Sequence, residues 1–317
     1  MSTRRARTFR QPTGKPVLIS ARDVEIFKLL NRYRFLRSTY LCAFFPKSDA
    51  TNLLKRLGTL YHEQPYLNRP ERQYSYANAL YLPAVYEIDA LARQVLKYHG
   101  ISPVMADCQA GRTGDSRHFA HALMICDVLA SIELGSKERS VRFVAWEEIL
   151  AKAPCRELED PFRISVTFTH NGKRQTIGVV PDGMFGLEYL QNGEKSYRFF
   201  ALEADRQTMP IFRGNLTQTS YHRKVLAYRE ILTQEIHKKH FGVPNLFILN
   251  VTTSAERMGH MIEALKQITG GRGNSVFLFK TMKGDLFKAP PADAHMMIEP
   301  WFRAGYPAFN ISAARGE

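Results

Sequence analysis

Asn192-Gly193 constrains this chain more than any other pair of residues. The stretch from 179 to 208, VVPDGMFGLEYLQNGEKSYRFFALEADRQT, reads as two strands joined by that dipeptide. Asn-Gly suits a two-residue type I′ turn because both residues take φ > 0. With those two as the loop, 191 faces 194, and every pair of facing residue numbers sums to 385. Asp182 then lies opposite Glu203, and the two-residue alternation of a strand puts Asp205 on the same face. Directly opposed Cβ atoms sit roughly 4.5–5.5 Å apart. Three carboxylates gathered there repel one another, and a hard, oxygen-seeking cation such as Mg²⁺ or Mn²⁺ would relieve that. Asp182, Glu203 and Asp205 are therefore the expected metal ligands. The plainer alternative is a set of solvated acids on an exposed sheet face, with Gly186 a natural place for a register-shifting bulge.

Charge divides the chain. The formal net charge is +14, and residues 1–100 hold 17 Lys and Arg against 7 Asp and Glu, whereas residues 101–317 hold 27 against 23. A basic region of this kind suits a polyanion, through neutralised phosphates and released counterions. A hydrophobic fraction of 44% fits a folded globular protein. Cys42, Cys108, Cys126 and Cys155 form no C-x-x-C pair, which argues against structural zinc and for reduced thiols. No apolar run suggests a membrane span, and the basic N-terminus lacks the apolar core of a secretory signal. The expected location is cytoplasmic, with no membrane partner.

Residues 1–16, MSTRRARTFRQPTGKP, carry five basic side chains and no acid, which predicts a disordered basic arm. From 17 to 100 the pattern predicts three helices and a hairpin. Ser20 caps a helix with Val24, Ile26, Phe27 and Leu30 inward, and a second short helix buries Tyr40, Leu41 and Phe44. A third helix has Ser48 as its N-cap, Leu53, Leu54, Leu57 and Leu60 inward, and Thr51, Asn52, Lys55 and Arg56 outward. Extended pieces follow around Tyr66-Leu67 and Tyr74–Leu82, with Arg69 and Arg72 at their turn. This is the order of a winged helix-turn-helix, whose last helix meets double-stranded DNA. Thr51, Asn52, Lys55, Arg56, Arg69 and Arg72 are the expected DNA-binding residues. Residues 101–117 lack periodicity and form the expected linker.

The second domain, 118–317, opens with a helix over about 118–134 and a strand near Val141–Ala145. His118 and His121 in that helix lack a good ligand spacing and read as structural. A second Asn-Gly hairpin turns at Asn171-Gly172. After the acidic hairpin, a long helix runs over about 215–241, with Tyr221, Lys224 and Tyr228 on one face. The run 245–252 reads as a strand covered on both sides, followed by a helix over 254–269, a Gly-Gly-Arg-Gly turn and a strand over 275–280. The tail from 289 packs on the core. The fold class is α/β (α+β), a mixed-sheet sandwich.

The winged-helix-like start, Pro-Asp-Gly at 181–183, Phe-Ala-Leu-Glu-Ala-Asp-Arg-Gln-Thr at 200–208 and the Lys224-x-x-x-Tyr228 pair resemble the plasmid replication-relaxation proteins. Those look like the MobC-type conjugative relaxases, whose catalytic domain is similar to PD-(D/E)XK restriction-type nucleases. The likeness in layout spans about 17–285. It implies a restriction-endonuclease-like domain over 118–317 in which Asp182 and Glu203 hold Mg²⁺. Asp205 stands where that pattern expects lysine, so either Lys224 takes over the lysine's role or the site is inactive. Two functions follow. One is a metal-dependent DNA nickase or relaxase of a plasmid or mobile element, with Asp182, Glu203, Asp205 and Lys224 catalytic and Tyr221 and Tyr228 keeping a tyrosine nucleophile open. The other is an inactive DNA-binding regulator of replication or transcription that retains the nuclease-like domain to form a homodimer. A defence nuclease shares the site of the first.

Overall fold

A computed structural model describes residues 5–75, 78–102, 116–139, 141–282 and 292–314. By contacts the chain divides into two compact units, 1–130 with 284–293 and 131–283 with 294–317. The division falls inside one helix rather than in the expected 101–117 linker, most of which lies outside the described residues.

The first unit begins with α1 (Ala21–Tyr33), β1 (Leu36–Arg37), α2 (Ser38–Phe44) and α3 (Ala50–His62). It continues with β2 (Leu67–Asn68), β3 (Val85–Ile88) and α4 (Ala90–Tyr98). The three short strands form an antiparallel sheet of order β1-β3-β2. Ser20 and Asp23 make the reciprocal capping box that starts α1. Val24, Ile26, Phe27 and Leu30 are buried, as their spacing predicts. Asp49, not Ser48, caps α3 by accepting from the Asn52 N–H. Leu54 points outward, 45% exposed. The second extended piece starts later than its sequence suggests, because Glu71–Ser75 and Ala79–Tyr81 are 3-10 turns. The buried Gln73 side chain bonds the Pro70 carbonyl and both backbone groups of Val85, which fixes that detour.

The arm also departs from expectation, because residues 5–16 are tied down. Arg10 reaches the Tyr61 and Leu67 carbonyls and Asp89. Thr13 bonds Glu63 through both its N–H and its hydroxyl, and Arg5 pairs with the same carboxylate at 2.6 Å. Residues 1–4 lie outside the described residues.

α5 (Ser116–Glu138) runs through the division between the units. By length and composition it alone among the described helices is long and apolar enough to cross a membrane, and 94% of that window is buried inside the fold. Then come β4 (Arg142–Val144), α6 (Trp146–Lys152), β5 (Ile164–His170), β6 (Lys173–Val179), β7 (Gly183–Gln191) and β8 (Glu194–Asp205). The predicted 215–241 helix begins only at its Ser220 cap, as α7 (Tyr221–Thr233). It breaks where Glu235 takes φ +54°, and α8 (Ile236–Phe241) follows. The rest is β9 (Phe247–Thr252), α9 (Ala255–Ile268), β10 (Asn274–Thr281), α10 (His295–Ile298), β11 (Trp301–Ala304) and β12 (Tyr306–Phe309).

The second unit is built on a seven-stranded mixed sheet of order β12-β11-β10-β9-β8-β7-β4. Strands β8, β9 and β10 run parallel and the remaining neighbours antiparallel. β5 and β6 form a separate hairpin turning at Asn171-Gly172. One face of the large sheet, carrying Met184, Ala201 and Ile248, belongs to the core cluster that includes Tyr221, Val225 and Tyr228 of α7. The other face holds a ladder of aromatic rings: Phe143–Phe185 at 5.4 Å, Phe185–Phe200 at 4.9 Å, Phe200–Phe247 at 5.5 Å and Phe247–Phe309 at 5.5 Å. The Gly-Gly-Arg-Gly turn packs tightly. A Cβ on Gly273 would lie 1.8 Å from the Ala304 carbonyl oxygen, so glycine is needed for this close approach.

Candidate functional site

The acidic hairpin has the register that its turn dictates. Asn192 and Gly193 take φ of +52° and +82°. The facing pairs run without a shift from Gln191↔Glu194 to Gly183↔Leu202, so Gly186 carries no bulge. One step further out, the Asp182 N–H donates to the Leu202 carbonyl, and the Ala204 N–H donates 2.9 Å to Asp182 Oδ2. That pair of bonds clamps the Asp182 carboxylate against the strand carrying Glu203.

α7 supplies the rest. Its Ser220 cap places Tyr221, Lys224 and Tyr228 on the side facing the sheet. Lys224 Nζ donates to Glu203 Oε2, and the Tyr228 hydroxyl donates 2.5 Å to Glu203 Oε1. Tyr221 donates 3.1 Å to Asn250 Oδ1, and Asn250 is the β9 residue registered against Glu203. Glu203 is only 5% exposed. Burial pushes its carboxyl up, Lys224 opposes that shift, and Asp182 adds to it. Burial alone would depress the Lys224 ammonium, but Glu203, Asp182 and Asp205 together hold it above its ordinary value. Both tyrosines are buried and their phenols pushed well up, chiefly by desolvation and then by Glu203. Neither offers a ready phenolate, which counts against the tyrosine-nucleophile option.

Asp205 shares Glu203's face and is equally buried, as alternation requires, but it is engaged elsewhere. Its Oδ2 pairs with Arg257 of α9 at 2.7 Å, and its Oδ1 accepts from the Gln207 N–H at 2.5 Å. Arg257 also bonds the Met209 carbonyl, which ties down the loop leading to α7. Among the described residues no three His, Cys, Asp or Glu side chains converge as a metal site. The expected three-carboxylate cluster is thus a two-carboxylate one, with Lys224 at its centre and Asp205 acting as a loop anchor. Two carboxylates still fit Mg²⁺, which usually takes one or two such ligands and keeps several waters. Beyond burial, Asp182 pushes the Glu203 carboxyl up, and Lys224 already opposes that push with a larger effect. Arg257 escaped the sequence reading because it is 52 residues from its partner.

The DNA-binding candidates in the first unit behave unequally. Thr51, Asn52 and Lys55 are exposed on α3. Arg56 is not, since it pairs with fully buried Asp23 at 2.7 Å and bonds the Leu18 carbonyl. Arg69 stacks 4.2 Å over Tyr61 and donates 2.8 Å to the Tyr86 hydroxyl. Arg72 is half-buried in the first 3-10 turn. Beside α3 lies a groove of about 760 Å³, lined among others by Lys55, Arg69, Arg5 and Arg7. Buried Asp127, a mere polar interruption in the sequence, pairs with Arg37 at 3.0 Å, and burial pushes it up to about 6 against the pull of Arg37.

These features define a mixed α/β protein in which a buried acid of the sheet is paired with a lysine of one helix. The family model described as replication-relaxation matches residues 27–246, more than two thirds of the chain, and the chain belongs to that family. No curated protein and no solved structure gives a significant match.

Proposed function

We propose that this protein binds DNA through its first unit and hydrolyses a phosphodiester bond at Asp182, Glu203 and Lys224, in the replication or mobilisation of a plasmid or other mobile element. The observation that carries this reading is Lys224 on Glu203, with Asp182 held alongside by the Ala204 N–H. Asp182 and Glu203 would hold Mg²⁺ or Mn²⁺, which when bound polarises a phosphoryl oxygen and acidifies water. Lys224 carries a fixed positive charge suited to the charge that develops on phosphate. Tyr228 holds Glu203 in one rotamer, and Arg257 with Asp205 holds the approach loop. The helix and three-strand order of the first unit supports a winged-helix reading, and exposed Thr51, Asn52 and Lys55 suit contact with DNA. The site's make-up resembles a PD-(D/E)XK nuclease whose lysine has moved to the next helix.

The test is nicking of supercoiled cognate plasmid with Mg²⁺ or Mn²⁺. Asp182→Ala and Glu203→Gln are each expected to lower the rate at least about a hundredfold, more than the loss of a group that only orients a metal ligand. Equal background nicking by wild type and Asp182→Ala would refute catalysis. A second reading has its own observation: both Glu203 oxygens are already bonded, to Lys224 and Tyr228. On that reading the chain is a DNA-binding regulator without turnover, and DNA binding survives Glu203→Gln while no variant alters nicking.

A further inference from the structure

We propose that the groove beside α3 binds single-stranded DNA, with phosphates along its basic wall and a base stacked on Tyr81. The inference rests on the DNA-binding reading above and specifies the form of DNA. Its first support is charge. Among the described residues the lining contains Arg5, Arg7, Lys55 and Arg69 and no carboxylate, Arg5 being paired with Glu63. His62, also in the lining, is pushed down to about 4, first by burial and then by Arg69 and Arg5, which reports a positive local field.

The second support is shape. Thr51, Leu54, Lys55, Gly58 and Thr59 form one face of α3, and all five line the groove. That face is bordered by Tyr81–Ala84 and by Arg5 and Arg7 of the tied-down arm, and Arg7 bonds the Leu80 and Leu82 carbonyls. A helix that reads duplex DNA must enter a major groove about 12 Å wide and 8.5 Å deep, whereas this face has the Tyr81–Ala84 segment and the arm alongside it. A single strand lies along such a channel. Proteins that bind single strands combine a basic groove with aromatic platforms for the bases.

The third support is the apolar surface at the mouth. Tyr81 is 89% exposed and Leu54 45%, and both border the channel. At Gly58 a Cβ would meet nothing within 4 Å, so the channel floor is bare helix backbone.

Fluorescence anisotropy of the full chain with a labelled 20-nucleotide single strand and with the matching duplex, at equal salt, tests the assignment. The single strand is expected to bind at least about tenfold tighter, with groove and stacking contacts that the duplex cannot make. Tyr81→Ala should weaken single-strand binding at least about fivefold, the lower end of one lost base stack. Gly58→Leu fills the channel while raising helix propensity, so it should melt no lower than wild type yet lose single-strand binding. Duplex binding as tight as single-strand binding, unaltered affinity in Gly58→Leu, or displacement of the strand by polyglutamate at equal charge would each overturn the proposal. Absence of binding to either DNA form would overturn the DNA-binding reading beneath it.

Discussion

The two units differ in how much cationic charge is left over once their buried acids are paired. In the second, each buried acid of the site has its own cation: Glu203 takes Lys224 and Asp205 takes Arg257. In the first, the buried acids are matched too, Asp23 by Arg56 and Asp127 by Arg37. Cations outnumber acids there, however, so further guanidinium groups turn to carbonyls and rings, as Arg7 does with Leu80 and Leu82 and Arg69 with Tyr61. A carbonyl or a ring satisfies an N–H without cancelling its charge, so a positive field survives in the first unit. In the second the charges are nearly matched, which positions them without advertising them to solvent. A surplus recruits a polyanion over distance; a matched pair holds groups ready for chemistry.

The comparison can be attacked at its strongest point by Lys224→Met. Removing the cation leaves Glu203 buried and unpaired, which should cost about 3–5 kcal/mol in urea unfolding at neutral pH. The loss should shrink at low pH, where Glu203 takes up a proton. A variant as stable as wild type would mean that the pair is not formed in solution. Asp205→Asn comes next. Losing the charge of its bond to Arg257 should cost about 1.5–3 kcal/mol, while Mn²⁺ affinity by calorimetry stays at the wild-type level. Lost Mn²⁺ binding would restore Asp205 to the metal.

In the first unit the expected effects are smaller. His62 has an ordinary value of 6.5, lowered to about 4 in the fold, where its Nδ1 accepts from the Gln11 N–H. The unfolded chain therefore takes up a proton that the folded one refuses, so this contribution is full above pH 6.5 and is lost as pH falls towards 4. Thermal melts between pH 7 and 4.5 should fall less steeply for His62→Gln than for wild type. The smallest effect is that of Lys55→Ala, which should reduce the salt-dependence slope of DNA binding by about one unit. A larger change would show that α3 carries more of the field than the arm does.

The local signals were legible and the distant ones were not. Both Asn-Gly turns fix hairpin registers that hold to the last pair, because turn geometry and two-residue alternation act over neighbours. The α1 stripe and its Ser20 cap are equally local. Lys224 was found because i, i+4 spacing puts it on the face with Tyr228. Nothing in local sequence shows that Arg56 answers Asp23 across 33 residues, that Arg37 answers Asp127 across 90, or that Arg257 answers Asp205. Such pairings follow from tertiary placement. The break at Glu235 and the strands β11 and β12 were hidden differently. A non-glycine residue with positive φ contradicts its own propensity, and Pro307 in β12 is tolerated only because that strand is at the sheet's edge.

The phenyl ladder from Phe143 to Phe309 lies on the face of the sheet opposite Glu203. Ring pairs of this kind contribute about 0.5–1.5 kcal/mol each beyond their buried area, and the ladder draws on strands β4, β7, β8, β9 and β12 without using a single site residue. Strand alignment and the acid–lysine pair are thereby entrusted to separate sides of one layer. Descendants of this chain are free to lose, move or exchange the acids and the lysine while inheriting the same scaffold, so an enzyme and its silent cousin can share one architecture.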